Sequence, residues 1–192
     1  VTNELRNVRV GFLVANEGIE QSELIGPWKA VMNAGGKPDL VAPKPGLAGT
    51  MQHLEKAGRF PVDRLTKDVR IDDYDAVVLP GGVANPDLLR QDDAAVGFLT
   101  AMCQAGKPVA AICHGPWTLI EGNLVAGRTM TSWPSLQTDL RNAGATWVDE
   151  EVHVCRRGPN ALITSRKPDD ILVFCRQITS VFAESRLVDC HA

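Results

Sequence analysis

Apolar residues in this chain fall into short runs, separated by longer stretches in which they recur at helical spacing, as expected when strands and helices alternate. Val8 to Val14, Asp39 to Ala42, Ala76 to Leu79 and Pro108 to Ile112 predict strands, with further strands at Arg128 to Thr131, Val152 to Arg156 and Ala161 to Thr164. Helices are predicted over Ser22 to Ala34, Asp92 to Ala105, His114 to Glu121, Pro134 to Ala143 and Asp169 to Ala183. Gly35-Gly36 is a strong stop after the first of them. Between Lys44 and Asp68 prolines and glycines break the pattern, and this segment is expected to form a loop with a hairpin lying away from the main sheet. The alternation implies an α/β domain, a mostly parallel sheet with helices on both faces.

Chemistry-bearing residues collect where strands end. Val8 to Val14 runs into ANEGIEQSEL, which holds Glu17, Glu20 and Glu23, and Ala76 to Leu79 runs into Pro80-Gly81-Gly82. Pro108 to Ile112 ends on Cys113-His114-Gly115. Ligands of open parallel sheets bind outside the carboxyl ends of the strands, so these segments are expected to converge. Ala111-Ile112-Cys113-His114-Gly115 has the small-x-nucleophile-x-small form of a nucleophile elbow. A thiol there, at the start of a helix, gains from free N–H groups and the helix dipole, which favour the reactive thiolate. The opposing reading is a buried cysteine that merely packs. For the glutamates it is an N-terminal helix residue stabilised by the dipole, the reading preferred for Glu17 and Glu23.

These motifs carry a resemblance. EGIEQSEL, DAVVLPGG at Asp75 to Gly82 and GKPVAAICHGP at Gly106 to Pro116 are similar to the PfpI-type intracellular proteases, within the superfamily of the parkinsonism-associated protein. LVAGRTMTSWPSLQTDLRNAGATWVDEEV and LITSRKPDD extend the likeness over about Val8 to Ser185. It implies one flavodoxin-like three-layer domain over residues 1–192, with a core of about 8–185 and a loose or interface-packing tail from Arg186 onward. It also implies Cys113 as nucleophile and Glu20 as the carboxyl touching its sulfur. A buried carboxyl stays protonated because desolvation disfavours its anion, and it can then donate a hydrogen bond to a thiolate. Gly82 and His114 would offer backbone N–H groups to an oxyanion. His114 would serve as base, oriented by Asp87 from a neighbouring subunit, and Gly81 and Trp117 would border the substrate pocket. Asp87 is one methylene shorter than the glutamate often found there, and Trp117 replaces a commonly polar residue.

Composition narrows the partners. A net charge of -3 and the lack of basic, aromatic-interleaved runs argue against nucleic acid. No apolar stretch approaches membrane-spanning length, and Val1 to Arg9 lacks the apolar centre of a secretory signal, so a cytoplasmic protein is expected. Five cysteines in 192 residues do not read as a disulfide framework. Cys103 and Cys175 lie in apolar-patterned helices, Cys155 in a strand and Cys190 in the tail. His53, His153 and His191 are scattered, so neither a metal nor another cofactor is expected.

A glutamine amidotransferase would need a downstream His-x-Glu, where this chain has His153-Val154-Cys155. A dienelactone-type hydrolase would need Asp149 and His153 on separate loops, which their spacing disfavours. Three readings remain open. One is a Cys113 enzyme that hydrolyses amides or acts on small carbonyls as a glyoxalase or deglycase, another a stress protein whose Cys113 is oxidised, the third a dimeric chaperone. A homodimer or higher oligomer is implied by the resemblance alone.

Overall fold

Parallel strands buried on both faces send alternate side chains into opposite cores. In β1 (Arg9–Leu13) Val10 and Phe12 enter one core while Leu13 enters the other. The structure, a computed structural model, describes residues 3–189 and their side chains through residue 184. Cys190 and His191 therefore lie outside the described residues.

After β1 come β2 (Ile19–Glu20), α1 (Gln21–Asn33), β3 (Lys37–Ala42), β4 (Leu47–Gln52), β5 (Glu55–Pro61) and β6 (Arg64–Leu65). Next are β7 (Ala76–Leu79), α2 (Ala84–Leu89), α3 (Asp93–Gln104), β8 (Val109–Ile112) and α4 (Pro116–Glu121). The chain closes with β9 (Thr129–Met130), α5 (Gln137–Asn142), β10 (Thr146–Trp147), β11 (Val152–Cys155), β12 (Leu162–Ser165) and α6 (Ile171–Asp189). The main sheet has the order β11-β12-β8-β7-β1-β3-β6 and is parallel except for β11. Val77, Leu79, Val109 and Ala111 face a core shared with Leu99 and Met102 of α3 and Leu119 of α4. Val78, Ala110 and Ile112 face a core with Leu24 and Val31 of α1 and Phe174, Ile178 and Phe182 of α6. This is a three-layer, flavodoxin-like sandwich.

The segment 44–68 forms the expected hairpin off the main sheet: β4 and β5 are antiparallel, and β2 joins β4 to make a three-stranded sheet. The short elements β2, α2, β6 and β10 are absent from the segments predicted by the sequence pattern. β9 leaves the main sheet to pair with β10, which the pattern did not predict, and β6 adds an unpredicted edge to the main sheet. Helix α6 runs past its predicted end at Ala183 to Asp189, no glycine or proline interrupting 183–189.

Strand order reverses beside β1, with β3 on one side and β7 on the other, which makes the crevice at their carboxyl ends the switch point. Asn85, fully buried on α2, holds that crevice together. Its Oδ1 accepts the Ala15 N–H at 2.7 Å, and its Nδ2 donates to Pro80 O at 2.9 Å and Gly81 O at 3.1 Å. Removing the amide strands the Ala15 N–H and Pro80 O, while Gly81 O keeps the Glu20 N–H, so Asn85→Ala is expected to lower stability by about 2–4 kcal/mol in urea denaturation. A loss under about 0.5 kcal/mol, the level of an ordinary surface substitution, would show that water or a rearranged loop replaces it.

Candidate active site

The chain leaves β8 through Cys113, whose φ of 61° lies in the left-handed region that a residue with a Cβ rarely adopts. Main-chain bonds fix this turn from both sides. Cys113 N–H donates to Ser165 O at 3.0 Å, Trp133 N–H to Cys113 O at 2.9 Å and Gly115 N–H to Ile112 O at 2.9 Å. A Cβ on Gly115 would come within 2.6 Å of Leu79 O, so the elbow tolerates no side chain there. Strain held by surrounding bonds in this way is characteristic of positions where a side chain must be presented in one direction.

The carboxyl against the sulfur is that of Glu23, not Glu20. Glu23 sits in the first turn of α1 with no solvent exposure; its Oε2 accepts the Gly81 N–H at 2.9 Å and its carboxyl hydrogen-bonds with Cys113. Glu20 is drawn elsewhere because it belongs to β2, which pairs with β4. Its Oε1 accepts from Ser22 Oγ at 3.2 Å and its Oε2 from the His53 N–H at 3.0 Å in the β4–β5 turn. Glu20 still borders the same cavity. Glu17 is exposed.

Burial dominates the titration of Glu23 and, against the hydrogen bonds from Cys113 and Gly81, pushes its pKa up to about 8. Burial and the Glu23 charge likewise raise the Cys113 thiol, while the N–H groups of Gly82 and His114 directed at the sulfur lower it. Both groups are therefore shifted toward their neutral forms, against the expectation of a favoured thiolate, and a neutral Glu23 places a proton donor rather than a repelling charge beside the sulfur. Glu23 Oε1 has no other hydrogen-bond partner among the described residues, consistent with an O–H directed at sulfur. Gly81 permits this approach: a Cβ there would lie 2.5 Å from Glu23 Oε2 and 2.7 Å from Cys113 Cβ.

His114 places Nδ1 3.2 Å from Cys113 Sγ, a contact that adjacency in sequence alone did not assure. Burial pushes its pKa down to about 4, so the ring is neutral and a weak base near pH 7. Glu23, with its pKa at about 8, lies nearer to neutral pH than His114. Trp117 does not border the Cys113 cavity: its ring packs edge-on against His114 at 5.2 Å and its Nε1 donates to Asp139 at 2.9 Å. The indole at the cavity is Trp133, stacked on His114 at 5.7 Å, which the sequence reading missed although it lies in the quoted TSWPS motif. Asp87 is exposed on α2, and among the described residues no acidic side chain hydrogen-bonds His114. Asp149 pairs with Arg166 at 2.8 Å and His153 with Glu150 at 2.8 Å, so the alternative Asp149–His153 dyad does not form.

Proteins that present a thiol from such a turn at the switch point of a parallel sheet form a broad class of cysteine-nucleophile α/β proteins. The model of the DJ-1/PfpI family matches residues 8–181, and the chain belongs to that family. It is 41% identical to General stress protein 18 of Bacillus subtilis over 158 residues, covering 82% of this chain and 88% of the relative. It is 36% identical to Deglycase PH1704 of Pyrococcus horikoshii over 175 residues, 91% of this chain and 99% of that one. The crystal structure of DJ-1beta from Drosophila melanogaster superposes with a TM-score of 0.80 at 26% identity, covering 92% of this chain and 91% of that one.

A carboxyl whose pKa rises on folding favours the folded state while protonated, and that advantage is lost as pH rises from its free value of 4.5 through about 8. Across that window the wild type is expected to lose stability relative to Glu23→Gln, the gap levelling off at higher pH, as read from urea midpoints at a series of pH values. A gap independent of pH would mean that Glu23 is ionised in the folded protein.

Proposed function

We propose that the protein is a stress-protective cysteine enzyme that acts on small carbonyl compounds, as a glutathione-independent glyoxalase or a deglycase of early carbonyl adducts. The observation that carries this reading is the Glu23 carboxyl, held largely protonated at neutral pH against the Cys113 sulfur. The thiolate adds to an aldehyde carbon, and the oxygen that becomes anionic has the Gly82 and His114 N–H groups as its nearest donors. Glu23 gives its proton to that oxygen and, once ionised, takes the proton of the carbon bound to sulfur and returns it, through an enediol, to the neighbouring carbonyl carbon, leaving a thioester. A 2-oxoaldehyde is thereby converted, after hydrolysis of the sulfur–carbon bond, to a hydroxy acid. An early adduct of an amine would instead release the amine.

Cavity size favours small carbonyls over peptides. The cavity at Cys113 measures about 230 Å³, below the usual range of roughly 300–1,000 Å³ for sites that enclose larger ligands. Leu54 and Val83 rim it and narrow the approach to the sulfur. The name Deglycase PH1704 agrees with this choice, and the name General stress protein 18 with a protective role. No helix among the described residues is long and apolar enough to cross a membrane, and the reading places the protein in the cytoplasm. It also makes the protein a homodimer or higher oligomer, with α2 at a subunit contact, since exposed Val83 and Leu88 flank Asp87 there.

The experiment is methylglyoxal consumption and hydroxy-acid formation by the pure protein, without glutathione or metal. Turnover is expected in the wild type, at background in Cys113→Ala, and reduced on the order of 100-fold or more in Glu23→Gln. Glu20→Gln, which leaves the Cys113–Glu23 contact in place, is expected to lose far less. Absence of wild-type turnover would discard the glyoxalase version, and release of free amine from a methylglyoxal-treated amine would then decide whether the deglycase version stands.

A further inference from the structure

A second thiol occupies an environment unlike that of any other cysteine described. Cys155 ends β11, and the register Cys155↔Leu162↔Val109 places it level with the start of β8, at the end of the sheet opposite the Cys113 elbow. Beside it lies Arg128, only 4% exposed. Arg128 Nη1 donates to Asn160 Oδ1 at 2.7 Å, and Nη2 donates to Asn160 O at 2.6 Å and Cys155 O at 3.1 Å. All three acceptors are neutral, and Nε is buried with no partner among the described residues. A buried guanidinium left with neutral acceptors and a spare N–H stabilises any anion that can form next to it.

The Cys155 sulfur is the group placed to become that anion. Its S–H points at Arg157 O, 3.7 Å away, and the sulfur lies within hydrogen-bonding reach of the Arg128 guanidinium and the Thr129 and Arg157 backbone. Burial acts to raise this thiol, but those partners together bring it below the ordinary thiol value. Cys103 and Cys175 lack the combination. Burial pushes each up to about 11, although Cys103 also feels the Arg128 charge and receives Asn160 Nδ2 at 3.5 Å. Cys155 is only 5% exposed, but residues 156–159, the loop that follows it, are exposed, and that loop lines a cavity of about 290 Å³ through Arg156, Gly158 and Pro159, room enough for a peroxide molecule. A Cβ on Gly158 would be 3.5 Å from Arg128 Cζ, so this glycine brings the loop and its solvent close to the charge.

We propose that Cys155 is a second oxidisable thiol of this protein, converted by hydroperoxides to a sulfenate that the buried Arg128 guanidinium holds. The thiolate sulfur attacks the terminal peroxide oxygen, an S–O bond forms as the O–O bond breaks, and the departing oxygen leaves as hydroxide or alkoxide. Sulfur gives up two electrons and the peroxide accepts them. The sulfenic proton passes to the leaving oxygen, so thiolate and hydrogen peroxide yield sulfenate and water. The sulfenate supplies the anionic acceptor that Arg128 Nε otherwise lacks. Sensing at this position is separate from carbonyl chemistry at Cys113.

The test uses Cys113→Ser protein, so that the elbow thiol contributes nothing. It is exposed to dilute hydrogen peroxide with dimedone present to trap sulfenate, and adducts are assigned by peptide mass spectrometry over time. Cys155 is expected to be labelled at least about tenfold faster than Cys103 or Cys175, and its alkylation by iodoacetamide to reach half-maximum at a lower pH than theirs. Arg128→Lys, if it folds, should slow the Cys155 adduct several-fold while leaving Cys175 unchanged. Labelling of Cys155 no faster than Cys103 and Cys175 overturns the proposal, whatever the behaviour of the Arg128 variant. Undiminished labelling in a folded Arg128→Lys protein overturns the part assigned to the guanidinium.

Discussion

An uncharged carboxyl buried against a thiol is the constraint on which the site depends. A carboxylate placed where Glu23 stands, without solvent exposure, would face the cost of an isolated buried charge, and a thiolate at Cys113 would add a second. Keeping both groups protonated avoids those charges, while the Gly81 N–H is directed at the carboxyl and the Gly82 and His114 N–H groups at the sulfur. Every other requirement follows. Gly81 must lack a side chain, the elbow must hold Cys113 at positive φ, and α1 must begin where it does so that Glu23 falls in its first turn.

The fold supplies this by bringing together segments that are distant in sequence. β1, β7 and β8 run in parallel, and their carboxyl ends deliver the glutamate, the glycines and the cysteine to one crevice. Backbone bonds then remove the remaining freedom: Glu20 N–H reaches Gly81 O at 3.2 Å, and Asn85 ties the ends of β1 and β7 together. The Cys113–Glu23 contact is thus held between the buried end of β8 and the first turn of α1 rather than by exposed loops.

Much of this was legible in the sequence, for identifiable reasons. Short apolar runs such as AVVL and VAAI can be little else than buried strands, and small residues on either side of Cys113 marked the elbow. Choosing between Glu20 and Glu23 needed information that no local pattern carries. Glu20 is committed to β2 by pairing with β4, a contact between residues about thirty apart in the chain, inside the segment where prolines and glycines erase the periodicity. Once that pairing is known, His53 claims the Glu20 carboxyl and Glu23 is left facing sulfur. The exchange of Trp117 for Trp133 has a similar cause, because Trp133 reaches the cavity through its main-chain bond to Cys113 O rather than through any helical spacing. The β9–β10 pair was illegible for the same reason: two-residue strands leave no period to read.

The hairpin of β4 and β5 belongs to the small sheet, yet its turn supplies His53 and the exposed Leu54 to the mouth of the cavity. The hairpin is tied to the rest of the chain by the β2 pairing, the Glu20 carboxyl, the Gln21 side-chain carbonyl oxygen that accepts from Thr50 and Gly58, and the bond from Gly49 N–H to Asn16 O. Lengthening or recolouring that turn would change which molecules reach the sulfur without disturbing the strands that set its reactivity. Selectivity and chemistry are therefore inherited on separate pieces of the chain, and the first can drift under selection while the second stays fixed.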